Sequence, residues 1–502
     1  MALFPLKLPP GFSRPGTKYD AKGRWFTGTL VRWFEGVMQA VGGWQAIQES
    51  GSDLNLTGVP RGAHAWRDNS DEPVLVLGTE STLYVWLSGV LTNVTPAGFT
   101  SGGADAVQTS GVYGNGNYGD GPYGTGGSAA TTIVEANTWQ MDNHGQDLIA
   151  VSFGDGKIYT QTGNSQAVVL ANAPTDVRGV VVTPEQFVVA LGDSPLDTGN
   201  RRVVSWAEVD DRTDWTAAPD NQAGELPLPG AGEILAGCAA RQETLIWTTV
   251  DLFAMRYIGG QFVYQIPKVG SNCGAISRRS MMVVDGQAIW MGHNGFFTYN
   301  GFVKALPSTV GDFVFNDINR IQVSKIWAEL RSAFGEVIWY YPSASSTEID
   351  KYVVFNYREG IWYFGDLERT AGVDQGAISM PVATDAGGAV YEHEIDGGTH
   401  LDPNAVALVP FAESGPIEIG NGDQTMLIQE YIPDENTLGD LDVTIFTALY
   451  PTATETESSV FTAANPTSVR LLGRQVRVKV TQKTAGWRLG TMRLEVEPSG
   501  QR

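Results

Sequence analysis

One unit recurs along most of this 502-residue chain: an apolar strand, a turn of Gly, Asp or Asn, then a second strand ending in an aromatic. In whole or in part it occurs at Leu75–Tyr84, Leu148–Tyr159, Phe187–Leu191, Leu245–Phe253, Ala288–Tyr299, Val337–Tyr341 and Pro381–Tyr391. Most starts are 39–49 residues apart, the ~40–50 residues of a four-stranded propeller blade. One gap of 58 residues holds Gly192–Arg202, and one of 73 holds an insertion at about 97–135. The spacing predicts an all-β chain: a β-propeller of six or seven blades over roughly residues 55–398. A series of β-sandwiches is the structural alternative. Sixty glycines and a charged fraction of 18%, below the ~25% of average globular chains, suit short strands and tight turns. Helical spacing is confined to Asp312–Arg331, where Phe313, Phe315, Ile318, Ile321 and Ile326 suggest one short helix.

From about residue 411 the pattern changes. Strand-like runs at Met426–Ile432, Leu441–Leu449, Arg474–Thr481 and Thr491–Val496 predict a C-terminal β-sandwich-like domain over 411–502. In its penultimate run Val476, Val478 and Val480 alternate with Arg477 and Lys479, a half-buried strand with a basic outer face.

Charge is unevenly spread. The net charge is −22, yet residues 1–34 carry +5 and residues 470–502 carry +6, leaving −33 between them. Residues 370–469 hold sixteen Asp or Glu and no Lys or Arg. An acidic body argues against a protein that grips nucleic-acid phosphate over its whole surface. Basic ends suit docking on acidic neighbours. Residues 1–54 therefore read as an extended N-terminal docking arm, with Arg14, Lys18, Lys22, Arg24, Trp25, Arg32, Trp33 and Phe34 as candidate assembly contacts. The first ten residues read as neither a signal nor a transit peptide, no apolar run approaches the ~18–20 residues of a membrane span, and synthesis in a cytoplasm is expected.

Catalytic signatures are missing from the sequence. His64, His144, His293, His393 and His400 are scattered, and His393-Glu-Ile-Asp lacks the second histidine of a zincin helix. Neither a nucleophile elbow nor a phosphate loop occurs. Cys238 and Cys273 are too few for a disulfide framework and read as buried hydrophobes. No enzyme activity, cofactor or metal is expected, although the acidic stretch 370–469 holds enough oxygens for calcium. The insertion repeats tyrosine every five residues, Tyr113, Tyr118 and Tyr123, each followed by glycine. It reads as an adaptable contact loop, and as a candidate gate for DNA if several copies meet on an axis.

Motifs in order resemble the packaged-DNA stabilisation and tail nozzle proteins of short-tailed bacteriophages. They are Leu6-Lys-Leu-Pro-Pro-Gly-Phe12, Gly16 to Trp25, Leu30-Val-Arg-Trp-Phe-Glu-Gly36 and Gly42-Gly-Trp44, then Ser205 to Trp215 and Val269 to Gly274. Ile289 to Phe297, Val353 to Trp362 and Trp487 to Arg493 complete the series. The resemblance implies a propeller-bearing virion subunit, assembled in the host cytoplasm into a ring that is commonly sixfold. Such a ring would extend the portal and adaptor channel, contact tail fibres or spikes, retain packaged double-stranded DNA and conduct it at ejection without sequence-specific binding. No catalytic residue is implied. The rival from another class is a propeller glycan binder or glycosidase, which needs an Arg/carboxylate/Tyr cluster on the propeller axis. A cellular scaffold explains neither the basic termini nor the motif order.

Overall fold

Each recurring sequence unit lies within the central hairpin of a small antiparallel sheet. The computed structural model describes residues 2–109, 132–260, 262–419, 424–434, 436–437 and 439–500. Among them, seven such sheets follow one another along the chain. Blade 1 runs from strand Pro60–Arg67 to Val90–Asn93, blade 2 from Trp139–His144 to Val168–Val169, and blade 3 from Gly179–Val182 to Gly224–Pro227. Blade 4 runs from Ile234–Ala239 to Tyr264–Gln265 with Lys268–Gly270 added, and blade 5 from Met281–Val284 to Val303–Leu306. Blade 6 spans Trp327–Arg331 to Ile361–Asp366, and blade 7 starts at Ala371–Val373. The first strand of each blade packs beside the first strand of the next, and blade 7 packs on blade 1. The ring closes: this is a seven-bladed β-propeller.

Apolar strands buried on both faces hold the blades together, and indoles join neighbours by hydrogen bonds. Trp139 donates to the Thr79 carbonyl (2.6 Å), Trp339 to Ser280 (2.9 Å) and Trp327 to Arg369 (2.8 Å). The acidic turn residues of the repeat also have a structural use. Glu80, Asp193 and Asp251 accept from the backbone N–H groups of Val59, Asp176 and Asn272, in the segments that lead into blades 1, 3 and 5.

Blade 7 supplies three strands of its own, and its fourth is Gly43–Ala46 from the other end of the chain. Trp44 lies opposite His393 and Ala46 opposite Tyr391. The glycines of Gly42-Gly-Trp44 are dictated by close approach: a Cβ on Gly43 would stand 2.3 Å from the Gly398 carbonyl carbon, and one on Gly42 would stand 2.5 Å from Glu394 Cα.

The C-terminal region forms two packed sheets, and here the N-terminal segment departs from the expected extended docking arm. Ala2–Leu6 is the edge of one sheet, beside Met492–Pro498, followed by Met426–Ile432 and Thr467–Gly473. Trp25–Thr29 is the edge of the other, beside Phe411–Ser414, Gln475–Gln482 and Leu441–Ala448. Val31–Phe34 and Val37–Ala40 form a hairpin that pairs with Arg488–Leu489. One apolar core runs from Ile289 and Phe296 of blade 5 through Trp339, Phe355 and Trp362 of blade 6 to Phe12, Trp25, Trp33, Val478 and Trp487.

Two local expectations are corrected. The helix ends at Gly311–Asp317, and Trp327–Arg331 is the first strand of blade 6, where pairing with Glu336–Tyr341 overrides the helical spacing. Arg477 is not on a solvated basic face. It is buried over the Phe446 ring (4.0 Å) and paired with Glu413 and Glu455, while Lys479 covers Phe411.

Deleting residues 1–34 removes an edge strand from each sandwich sheet as well as the Arg32 and Trp33 side chains. The truncated chain should lose the cooperative melting of the sandwich, seen by calorimetry and as loss of amide protection in 426–498. A chain that melts like the parent would restore the docking-arm reading.

Candidate functional site

The N-terminal residues expected to face a neighbour mostly face this chain. Arg14 lies over the rings of Phe313 (3.9 Å) and Phe26 (4.7 Å), and burial lowers its pKa against the pull of Asp317. Lys18 is 3.7 Å from Glu413, and Lys22 pairs with Glu418. Arg24 is half-buried, Trp25 and Trp33 are buried, and Phe34 meets Phe334 edge-on at 5.5 Å.

Arg32 goes deepest. It holds Glu394 at 2.6 and 2.7 Å and Glu336 at 2.9 and 3.1 Å, tying the N-terminal hairpin to blades 6 and 7. Burial alone would raise the Glu394 carboxyl, but the charge and hydrogen bonds of Arg32 keep it below its ordinary value. Nearby, burial pushes Glu329 up to about 7 despite Arg331. Arg369 donates to His393 Nε2 (2.9 Å), and Trp44 stacks on that imidazole with ring centroids 5.3 Å apart. Arg32→Ala strands two buried carboxylates and should cost about 3–5 kcal/mol in denaturant unfolding.

Burial, reinforced by Arg369, Arg331, His400 and Arg32, holds the His393 pKa well below the ordinary 6.5. The unfolded chain therefore takes up a proton below pH 6.5 that the folded chain refuses. Relative to a His393→Gln variant, the parent should lose up to about 1.4 kcal/mol per pH unit as pH falls below that value. The opposing contribution of Glu329 is common to both proteins and cancels in the difference. A difference flat between pH 7 and 5 would remove His393 as its source.

A second charged cluster lies on the propeller axis, where the first strands of the blades begin. Sequence reasoning missed it because its members are far apart in the chain. Arg61, buried, gives both terminal nitrogens to Glu348 (2.8 and 2.5 Å) and one to the Ala104 carbonyl (3.1 Å). Lys325, also buried, binds Asp105 (2.5 Å), the Thr347 carbonyl (2.6 Å) and Glu348 (3.2 Å). Burial would raise the Glu348 carboxyl, but hydrogen bonds from Arg61 and the charges of Arg61 and Lys325 bring it below its ordinary value. Arg278 pairs with Glu135 (3.0 Å) and lies 3.9 Å over the Phe153 ring. Gln140 of blade 2 reaches across to the Arg278 carbonyl at the start of blade 5 (3.0 Å).

The two feet of the insertion are pinned to this cluster. Gln322 holds Ala106 through both its N–H and its carbonyl (2.9 and 2.8 Å), and Ser324 accepts from the Ala136 N–H (3.2 Å). Above them Val107–Thr109 pairs with Thr132–Val134, leaving Val107, Ile133 and Val134 43–57% exposed. Tyr113, Tyr118 and Tyr123 lie outside the described residues.

The axial cluster contains the Arg and carboxylate types that a glycan site needs, but most of its guanidinium capacity is spent on its own carboxylates. Burial pushes the Cys238 and Cys273 thiols up to about 12 and 11, out of the range of a nucleophile at neutral pH. Among the described residues no three His, Cys, Asp or Glu converge to hold a metal ion, in 370–469 or elsewhere, and no helix is long and apolar enough to cross a membrane.

No family model and no curated protein matches the chain. Solved structures similar to it include the WD40 domain of Neurospora crassa Pan2 (9% identity, 74% of this chain and 98% of that one, TM-score 0.39). The AfRom2 CNH domain (9%, 70% and 98%, 0.37) and YCF48 bound to D1 peptide (9%, 71% and 98%, 0.36) are others. The seven-bladed assignment stands on the strand order within this chain.

Proposed function

We propose that the chain is a non-enzymatic structural subunit of a bacteriophage tail ring, extending the portal and adaptor channel, retaining packaged DNA and conducting it at ejection. The observation that carries this reading is the ordered set of motifs resembling tail nozzle proteins, and their position in the fold supports it. Phe12, Trp25, Trp33, Trp44, Ile289, Phe296, Phe355, Trp362 and Trp487 all come from those motifs, and all belong to the core that joins propeller to sandwich. The motifs thus lie where propeller and sandwich are joined, the place a ring subunit relies on to keep its two domains in one alignment.

The axial side chains occupy the propeller's own axis at one end, so a duplex would run in the space enclosed by several chains. A net charge of −22 disfavours the many phosphate contacts that would stall a sliding duplex. Ring partners, the adaptor, and fibres or spikes would meet surfaces other than the N-terminal residues already used internally.

Electron microscopy of the chain co-expressed with its adaptor should show closed rings, and the purified chain should turn over no glycan. A chain that stays monomeric in both settings would overturn the proposal. Hydrolysis of a sialoside or polysaccharide that is lost in Glu348→Gln would favour the glycosidase reading instead.

A further inference from the structure

Charge on the propeller axis does not balance. Arg61 and Lys325 share Glu348, with Asp105 as a further partner of Lys325; Arg278 has Glu135, and Arg178 faces Asp176 at 3.7 Å. Arg279 has no carboxylate within ion-pair distance among the described residues. Its one side-chain hydrogen bond is a long one, 3.4 Å, to the Thr370 carbonyl of blade 7, and its Nε is buried without a protein partner. The buried Nε atoms of Arg61 and Arg278 and the buried Oε1 of Gln140 are also unpartnered. The neighbouring charge of Arg61 disfavours the Arg279 cation as well. Burial first and Arg61 second lower its pKa to about 9, with Glu348 opposing. Arg279 is half-buried, with its Nε shielded from water; a guanidinium held there without a counter-charge is costly, and a bound anion would offset that cost.

We infer that the axial cluster binds one small oxyanion, phosphate or carboxylate, with Arg279 as its principal ligand and Arg61 beside it. A planar guanidinium matches either group in the bidentate manner. The site lies beside the feet of the insertion, whose Asp105 and Glu135 bring negative charge to the cluster through Lys325 and Arg278. It therefore suits a free ion or a single sugar carboxylate and excludes a duplex. Two consequences follow from this placement. Removing the acidic feet should tighten anion binding, and removing Arg279 should abolish it without harming the fold.

The inference does not depend on the tail-ring reading. It is tested by titrating the full chain with inorganic phosphate by calorimetry, at constant ionic strength in chloride. The parent should bind one phosphate per chain saturably. Arg279→Gln should weaken binding at least tenfold while melting no lower than the parent in chloride alone, and Arg279→Lys should retain part of it. Asp105→Asn with Glu135→Gln should bind several-fold more tightly, and Arg67→Gln, at the opposite end of its strand, should bind as the parent does. Acetate and N-acetylneuraminate distinguish a carboxylate preference from a phosphate one, and a DNA duplex should give no Arg279-dependent heat. Absence of saturable binding by the parent to any of these anions overturns the inference. So does binding that is indifferent to both Arg279→Gln and the double substitution.

Discussion

Everything in this molecule depends on pairing Gly43–Ala46 with Val390–Ile395. Without it blade 7 would lack its outer strand and leave Val390–Ile395 as an unpaired edge, and the N-terminal segment would no longer fasten the last blade to the rest of the chain. Closing a loop of some 345 residues costs only roughly 5 kcal/mol beyond a constant, since the entropy grows with the logarithm of length. The contacts that offset it are concentrated at the junction: Trp44 between His393 and His400, Arg369 over Trp44 and Tyr391, and Arg32 on Glu336 and Glu394. The same few residues also hold the sandwich, because Arg32 lies on the hairpin that pairs with Arg488–Leu489. Ring closure and domain docking are therefore one event.

Burying so much charge at that junction carries a known liability. Arg32, Arg331, Arg369, Glu329, Glu336 and Glu394 are all removed from water or nearly so, and an apolar junction of similar volume would often be at least as stable. What paired charge adds is a single acceptable alignment. A one-residue slip of Gly43–Ala46 would move Trp44 off His393 and bring a Cβ against Gly398 in one direction or against Glu394 in the other, so the register is specified twice, once by charge and once by the small size of glycine.

The blade pattern was readable in the sequence because a hairpin is local. Five of the seven recurring units span the second and third strands of their blades, Phe187–Leu191 and Val337–Tyr341 cover the second alone, and carboxylates in or just after several of them bind the backbone entering a blade. What could not be read was everything that depends on distant partners. Arg32, Trp33 and Arg477 look like surface residues in a basic strand, yet each is buried by residues more than twenty positions away, with Glu394, Tyr363 and Glu455 among their partners. The axial cluster was hidden for the same reason. It draws on residues from 61 to 348, and no segment of the chain carries more than two of its cations.

The distribution of charge then acquires a different meaning from the one suggested by the linear sequence. The basic N-terminal segment does not give the protein a free positive end; it neutralises acidic positions of the same chain, such as Glu413, Glu418, Glu336 and Glu394. With those cations spent internally, long-range electrostatics between copies is repulsive at a net charge of −22. In the proposed ring, contact between copies would therefore rest on short-range complementarity rather than on opposite charge. Apolar residues exposed at strand ends, Val107 and Val134 above the axis or Tyr450 and Val460 on the sandwich, are the kind of surface that can supply it.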